Sequence, residues 1–307
     1  MTYIVKTNHL TKVFGGKEVV SAVNMHVKKG EIYGFLGPNG AGKTTVMKML
    51  TNLTKPTSGD IEIFGEKLTN HSYEVLKRMG TIIEYPIFYE KLTARETLEL
   101  HCEYMGYYDK AEIEHILDLV KLTNTDGKRV KDFSLGMKQR LGIGRAIITK
   151  PELLILDEPI NGLDPVGIKE IRELFKMLCK EYGITIIVSS HILAEIEQLA
   201  DTIGVINNGR LITEISMDNV NRSQTDYIEV VVNDGKKAAF IIESKLNITN
   251  FKLIDNGCIR IYDSSVSQNI ISRTLIEHDI EIEGISKKTN SLEDYFMKLI
   301  NGGVVNA

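Results

Sequence analysis

The segment Gly37-Pro38-Asn39-Gly40-Ala41-Gly42-Lys43-Thr44 fits the pattern G-x-x-x-x-G-K-[ST], whose residue types together can hold a chain of phosphates. Glycines let the backbone curl so that successive N–H groups point inward, and a following helix adds the positive end of its dipole. Lys43 brings a point charge to the β- and γ-phosphates, and the Thr44 hydroxyl is a ligand for Mg²⁺. A second group stands far along the chain, where the apolar run Leu153-Leu154-Ile155-Leu156 ends in Asp157 and Glu158. Adjacent acids at the end of a buried strand lie where open α/β folds bind ligands. Asp157 is expected to hold the Mg²⁺ through water, and Glu158 to orient and deprotonate an attacking water.

Strands and helices must bring these groups together. Glu31–Leu36 reads as a short buried strand entering the glycine-rich turn, with a helix over Thr44–Leu53 after it. Alternation over Tyr3–Lys28, with a turn at Gly15-Gly16, predicts early antiparallel strands, and Ile61–Gly65 and Met79–Ile83 predict further ones. Leu92–Thr123 carries apolar residues at 3–4 spacing and reads as mostly helical. Leu153–Asp157, a helix over Gly167–Lys180 and Ile184–Ser190 continue a strand–helix alternation, which predicts a mainly parallel sheet covered on both faces.

The tail from 217 reads differently. Tyr227–Val232 predicts a strand, Lys236–Leu246 a helix, and FKLID and CIRIYD two strands joined at Asn256-Gly257, which favours a type I′ turn. A helix over Val266–His278 and a strand over Ile282–Lys288 complete a βαββαβ order, that of a split βαβ, ferredoxin-like unit.

Between the phosphate loop and the acids lies Phe133-Ser134-Leu135-Gly136-Met137-Lys138-Gln139-Arg140; after them come Asn161-Gly162-Leu163-Asp164-Pro165 and Ser189-Ser190-His191. With these ordered motifs, the chain resembles the ATP-binding subunits of ABC transporters over about its first two-thirds. The resemblance implies a P-loop NTPase α/β core with an antiparallel β subdomain and a helical subdomain (about 85–145), together spanning 1–216. The tail, 217–307, is expected to form a small accessory α+β domain. The resemblance further implies that ATP is held by Gly37 through Thr45, with Phe14 stacked on adenine. Ser134 and Gly136 would close over the γ-phosphate held by a second copy, His191 would reach that phosphate, and Asp164 would communicate across the dimer. Where most members place a glutamine, this chain has Glu84. By the resemblance that position touches both Mg²⁺ and the membrane subunit, and a carboxylate there would bind the metal or pair with a basic helix of the permease. The acid, the wording SLGMKQRLGI and SLEDYFMKLI near the C-terminus are similar to the bacitracin-resistance and lantibiotic-immunity branch.

Composition narrows the alternatives. The 307 residues carry 37 Lys+Arg and 41 Asp+Glu, a net charge of −4, so a general nucleic-acid binder is disfavoured. Cys102, Cys179 and Cys258 are too few and too scattered for a disulfide framework or a zinc site. The N-terminus lacks a signal pattern and no apolar run is long enough to cross a bilayer, so a membrane role requires a partner. The expectation is a homodimeric, Mg²⁺-dependent ATPase on the cytoplasmic face of a membrane, driving a separate permease that exports antimicrobial peptides. The rivals are a drug or polyketide exporter, an importer with a regulatory tail, and a non-transport ATPase of the same superfamily.

Overall fold

Ile32–Leu36 is buried at every position, as a strand flanked on both sides by parallel neighbours and covered on both faces must be. A computed structural model describes residues 2–107, 109–125, 127–218, 226–263 and 266–289. By internal contacts the chain divides into two units, Met1–Met217 and Asp218–Ala307.

In the first unit, Tyr3–Phe14 (β1), Lys17–Val23 (β2), His26–Lys28 (β3), Ser58–Ile63 (β5) and Glu66–Lys67 (β6) build an antiparallel sheet of order β2-β1-β5-β6, with β3 also on β1. The second sheet contains Ile32–Leu36 (β4), Met79–Ile82 (β7), Leu153–Leu156 (β8), Thr185–Ser190 (β9), Thr202–Asn207 (β10) and Arg210–Ser216 (β11). Its order is β11-β10-β4-β9-β8-β7, parallel except for β11. The predicted strands are all present, whereas β10 and β11 are additions to the sequence reading. Their segment carries no motif, yet β10 pairs with central β4.

Helix α1 (Lys43–Leu50) buries Val46, Met47, Met49 and Leu50 in a core shared with Leu10, Val27, Ile63, Ile155 and Ile187, which ties the two sheets together. Tyr33 and Phe35 point into that core. On the other face lie α6 (Pro165–Lys180) and α7 (Leu193–Glu197). There Gly34 lies so near α7 that a Cβ would meet Ile196 Cγ2 at 2.3 Å. Short α2 (Tyr73–Lys77) precedes β7. Helices α3 (Ala94–Met105), α4 (Lys110–Leu119) and α5 (Leu135–Ile147) pack on one another, and α5 reaches β7. Thr93 and Glu96 form a reciprocal capping box at the start of α3.

The second unit has β12 (Asp226–Val232), α8 (Gly235–Leu246), β13 (Phe251–Leu253), β14 (Cys258–Ile261), α9 (Gln268–Glu277) and β15 (Ile282–Thr289). The sheet order is β13-β14-β12-β15 with every neighbour antiparallel. Ile228, Val230, Ile242, Ile259, Ile261, Ile271 and Leu275 form its core. The turn at Asn256-Gly257 corrects the sequence reading. Neither residue has the positive φ that a type I′ turn needs. Instead Asp255 Oδ1 accepts from the backbone N–H of Gly257 and of Cys258, at 2.9 and 2.8 Å, and this local carboxylate bond sets the turn. SLEDYFMKLI lies outside the described residues. Among those described, no helix is long and apolar enough to cross a membrane.

Candidate active site

The glycine-rich segment leaves β4 and enters α1 with Gly40 and Gly42 in the left-handed region, φ 79° and 106°, where a side chain is strained. The new strand pair supports it from beneath. Ala41 O accepts from Gly209 N–H at 3.0 Å, and a Cβ on Gly37 would meet Ile206 O at 2.3 Å. Pro38, Asn39 and Gly40 are exposed, so the outer side of the loop is open. Thr44 and Thr45 follow in the first turn of α1, both half-buried. Lys43 is nearly covered and folds back on the loop, donating to Gly37 O at 2.7 Å and Pro38 O at 3.3 Å.

Pairing of β8 with β9 brings the distant acids to this loop. Asp157 Oδ2 accepts from Thr44 Oγ1 at 2.7 Å, and Asp157 Oδ1 accepts from Ser189 Oγ at 2.6 Å. Glu158 has φ 49° and its N–H donates to Ser189 Oγ at 2.8 Å. Its carboxylate lies between Lys43 and His191, with Oε1 at 3.2 Å from Lys43 Nζ and Oε2 at 2.9 Å from His191 Nδ1. Lys43, Thr44, Asp157, Glu158 and His191 thus form one linked cluster. The residue that sequence reading missed is Ser189, although it stands in the triplet read for His191. The donors around Thr44 and Asp157 are a hydroxyl and a carboxylate, hard oxygens that suit Mg²⁺ rather than a softer metal.

Four of the sequence candidates stand apart from this cluster. Ser134 caps α5, its Oγ accepting from Met137 N–H at 3.2 Å. Asp164 caps α6 by accepting from Gly167 N–H at 2.7 Å. A Cβ on Gly136 would lie 3.7 Å from Leu163 Cδ2, so the start of α5 abuts the loop that leads to Asp164. Among the described residues, no hydrogen bond or ion pair joins Ser134, Gly136 or Asp164 to the Lys43 cluster. Phe14 ends β1 with half its surface exposed, and Lys12 Nζ sits 4.8 Å from its ring centroid.

Glu84 follows β7 with φ 64°, and its carboxylate accepts from Lys48 Nζ of α1 at 2.6 Å. It is tied to the phosphate-loop helix through a cation instead of meeting the Thr44–Asp157 pair. Lys48 belongs to no motif, and only the fold brings it beside a residue 36 positions away. Past Glu84, the exposed side chains of Ile87, Tyr89 and Tyr104 surround a groove also lined by Leu100, His101 and Arg145, and Tyr85 is exposed as well. Burial, and next the charge of Arg145, hold the His101 imidazole below its ordinary pKa.

Residues 20–161 match the family model described as ABC transporter. Over 307 residues, the whole of both chains, the protein is 63% identical to the uncharacterized ABC transporter ATP-binding protein YcbN of Bacillus subtilis. It is 48% identical to the bacitracin transport ATP-binding protein BcrA of Bacillus licheniformis, over 99% of this chain and 100% of that one. The lantibiotic transport ATP-binding protein SrtF of Streptococcus pyogenes is 45% identical over 70% of this chain and 92% of its own. Among solved structures, an ATP-binding subunit of an ABC transporter superposes with a TM-score of 0.64 at 32% identity, covering 71% of this chain and 92% of that one. A dimeric ATP-binding cassette bound to ADP and Pi gives 0.62 at 26%, covering 69% and 98%. With a mixed P-loop sheet, an antiparallel subdomain and an end-to-end match at this identity, the chain belongs to the ATP-binding proteins of ABC transporters and is an ATP hydrolase.

Proposed function

We propose that two copies of this chain meet head to tail around two ATP molecules and drive a separate membrane permease that expels peptide antibiotics of the bacitracin kind. The cargo rests on one observation, the match to a bacitracin transport ATP-binding protein along essentially the full length of both chains. The dimer is supported by the separation within one chain of Ser134, Gly136 and Asp164 from the Lys43 cluster, and by the dimeric cassette among the structural relatives. In this reading Lys43 turns from its two carbonyls to the phosphates, and Gly37 through Thr45 wrap them. Phe14 stacks on the adenine. Thr44 and Asp157 hold Mg²⁺, which when bound neutralises phosphate charge. Glu158 takes the proton of the attacking water, and His191 steadies Glu158 and faces the γ-phosphate. The Lys48 pair supports Glu84 as a link between the nucleotide helix and the segment entering α3 more than as a resident metal ligand.

The apolar rim of Ile87, Tyr89 and Tyr104 is the surface we assign to the permease, which would hold the protein at the cytoplasmic face of the membrane. We read 1–216 as the ATPase domain with helices over about 85–145, and 217–307 as a ferredoxin-like accessory domain. The second reading is supported by the strand order β13-β14-β12-β15. The test is co-expression with the permease that co-purifies with it, in a sensitive host challenged with bacitracin and a panel of lantibiotics. The wild-type chain is expected to raise the inhibitory concentration of bacitracin, and Lys43→Ala to abolish the gain. An active, co-purifying complex that protects against none of the peptides would reject this cargo.

A further inference from the structure

We infer that Ser189 is a positioning residue for hydrolysis, one hydroxyl that sets the metal-side carboxylate and the base in register with each other. The inference rests on the reading of Asp157 and Glu158 given above.

Parallel pairing matches Leu156 with Val188 and so sets Asp157 beside Ser189. On the other side of β9, Ser189 pairs with Phe35 of β4, the strand that feeds the phosphate loop. Side chains alternate along strands, so Leu153, Ile155 and Asp157, together with Ile187 and Ser189, face the side on which α1 packs. Ser189 is completely buried there. A serine hydroxyl has one proton to give and lone pairs to accept with, and both capacities are used. It donates to Asp157 Oδ1 at 2.6 Å, leaving Oδ2 to Thr44, and accepts from Glu158 N–H at 2.8 Å.

The second bond holds an unusual backbone. Glu158 has φ 49°, a region in which a residue with a side chain is strained, and its amide is anchored there by Ser189. From that backbone the Glu158 carboxylate reaches both Lys43 and His191. Without the hydroxyl, Asp157 Oδ1 and the Glu158 N–H lose their partner inside a buried site, and the carboxylate and the base are free to shift independently.

The experiment compares Ser189→Ala, Ser189→Val and Ser189→Thr in the full-length chain, Thr and Val being close in volume and different in the hydroxyl. Ala and Val are expected to lower kcat by about 10- to 100-fold with KM for ATP changed less than about threefold, and Thr to retain at least about tenfold more activity than Val. As a readout independent of turnover, the Mg²⁺ concentration that half-saturates ATP-dependent thermal stabilisation should rise several-fold in Ala and Val and stay near wild type in Thr. Melting without nucleotide shows which variants are folded; if Ala is not, the Thr–Val difference decides. Wild-type turnover in Ala, or equal loss in Thr and Val, would overturn the inference. Glu158→Gln is the control. Full hydrolysis there would reject Glu158 as the base, whereas an inactive Glu158→Gln beside a fully active Ser189→Ala rejects Ser189 alone.

Discussion

Lys43 and Glu158 neutralise each other across 3.2 Å at the point where the phosphate loop meets the acidic strand end. Each therefore depends on its partner for more than chemistry. Lys43→Ala removes the charge that we propose faces the phosphates and leaves Glu158 with His191 alone. We expect kcat/KM for ATP to fall at least about 100-fold, as for the loss of a preorganised electrostatic group, measured by steady-state phosphate release. Glu158→Gln keeps the size of the side chain and removes its basicity. It should bind nucleotide, lower kcat by about 10² to 10⁴, and elute as a dimer with MgATP on size-exclusion chromatography. Hydrolysis at the wild-type rate would show that another group takes the proton. At this scale the sequence was highly legible. Lys43, Thr44, Asp157, Glu158 and His191 were named from motif order, and the fold brings all five together. Ser189 was not, because a serine before a histidine has no distinguishing spacing, and only the β8–β9 register puts its hydroxyl against Asp157.

Elements fix how much each residue can move. The central strand β4 is covered by α1 on one face and by α7 on the other, where Gly34 leaves room for Ile196 and Ala200. A methyl at Gly34 would overlap Ile196 Cγ2 at 2.3 Å, so Gly34→Ala should destabilise the chain by about 1–3 kcal/mol and lower its melting temperature. An unchanged melting curve would mean that α7 gives way freely. The Lys48–Glu84 pair joins α1 to the exit of β7 and is largely exposed, so it adds only about 0.2–1 kcal/mol to stability. Glu84→Gln is thus expected to melt like wild type and keep basal hydrolysis, while peptide resistance in cells drops. Unchanged resistance would remove Glu84 from coupling. The helices α3, α4 and α6 and the apolar runs of β4, β8 and β9 were legible because burial imposes their patterns. The pair β10–β11 escaped notice because it carries no motif, although its turn at Gly209 supports the phosphate loop through Ala41.

For the molecule as a whole, the two units have separate cores and separate vulnerabilities. Glu229 on β12 accepts from Lys288 Nζ at 2.5 Å and from Arg260 Nε at 3.1 Å. The Lys288 bond is the main cause that holds its pKa below the ordinary carboxylate value of 4.5, with Arg260 adding to it. A depressed folded-state pKa contributes stability above the unfolded value, and that contribution disappears as pH falls through the folded one. Glu229→Gln should therefore be less stable than wild type at neutral pH, and the difference should vanish in acid below the carboxylate range. Denaturant melts of the full chain at several pH values measure it, and a difference that persists in strong acid would point to lost packing instead of lost charge.

From its residues alone this protein announced its phosphate chemistry, its parallel-sheet core and the βαββαβ order of its tail. Motifs and periodicity are local, and each is imposed by the shape of a phosphate chain or by the burial of one face. Which oxygen of Asp157 faces Thr44, which cation holds Glu84, and which carboxylate bends the Asn256-Gly257 turn were decided only in three dimensions. Those contacts join segments through strand register and helix packing, or turn on a choice between competing hydrogen bonds that are close in energy, and no one-dimensional spacing encodes either.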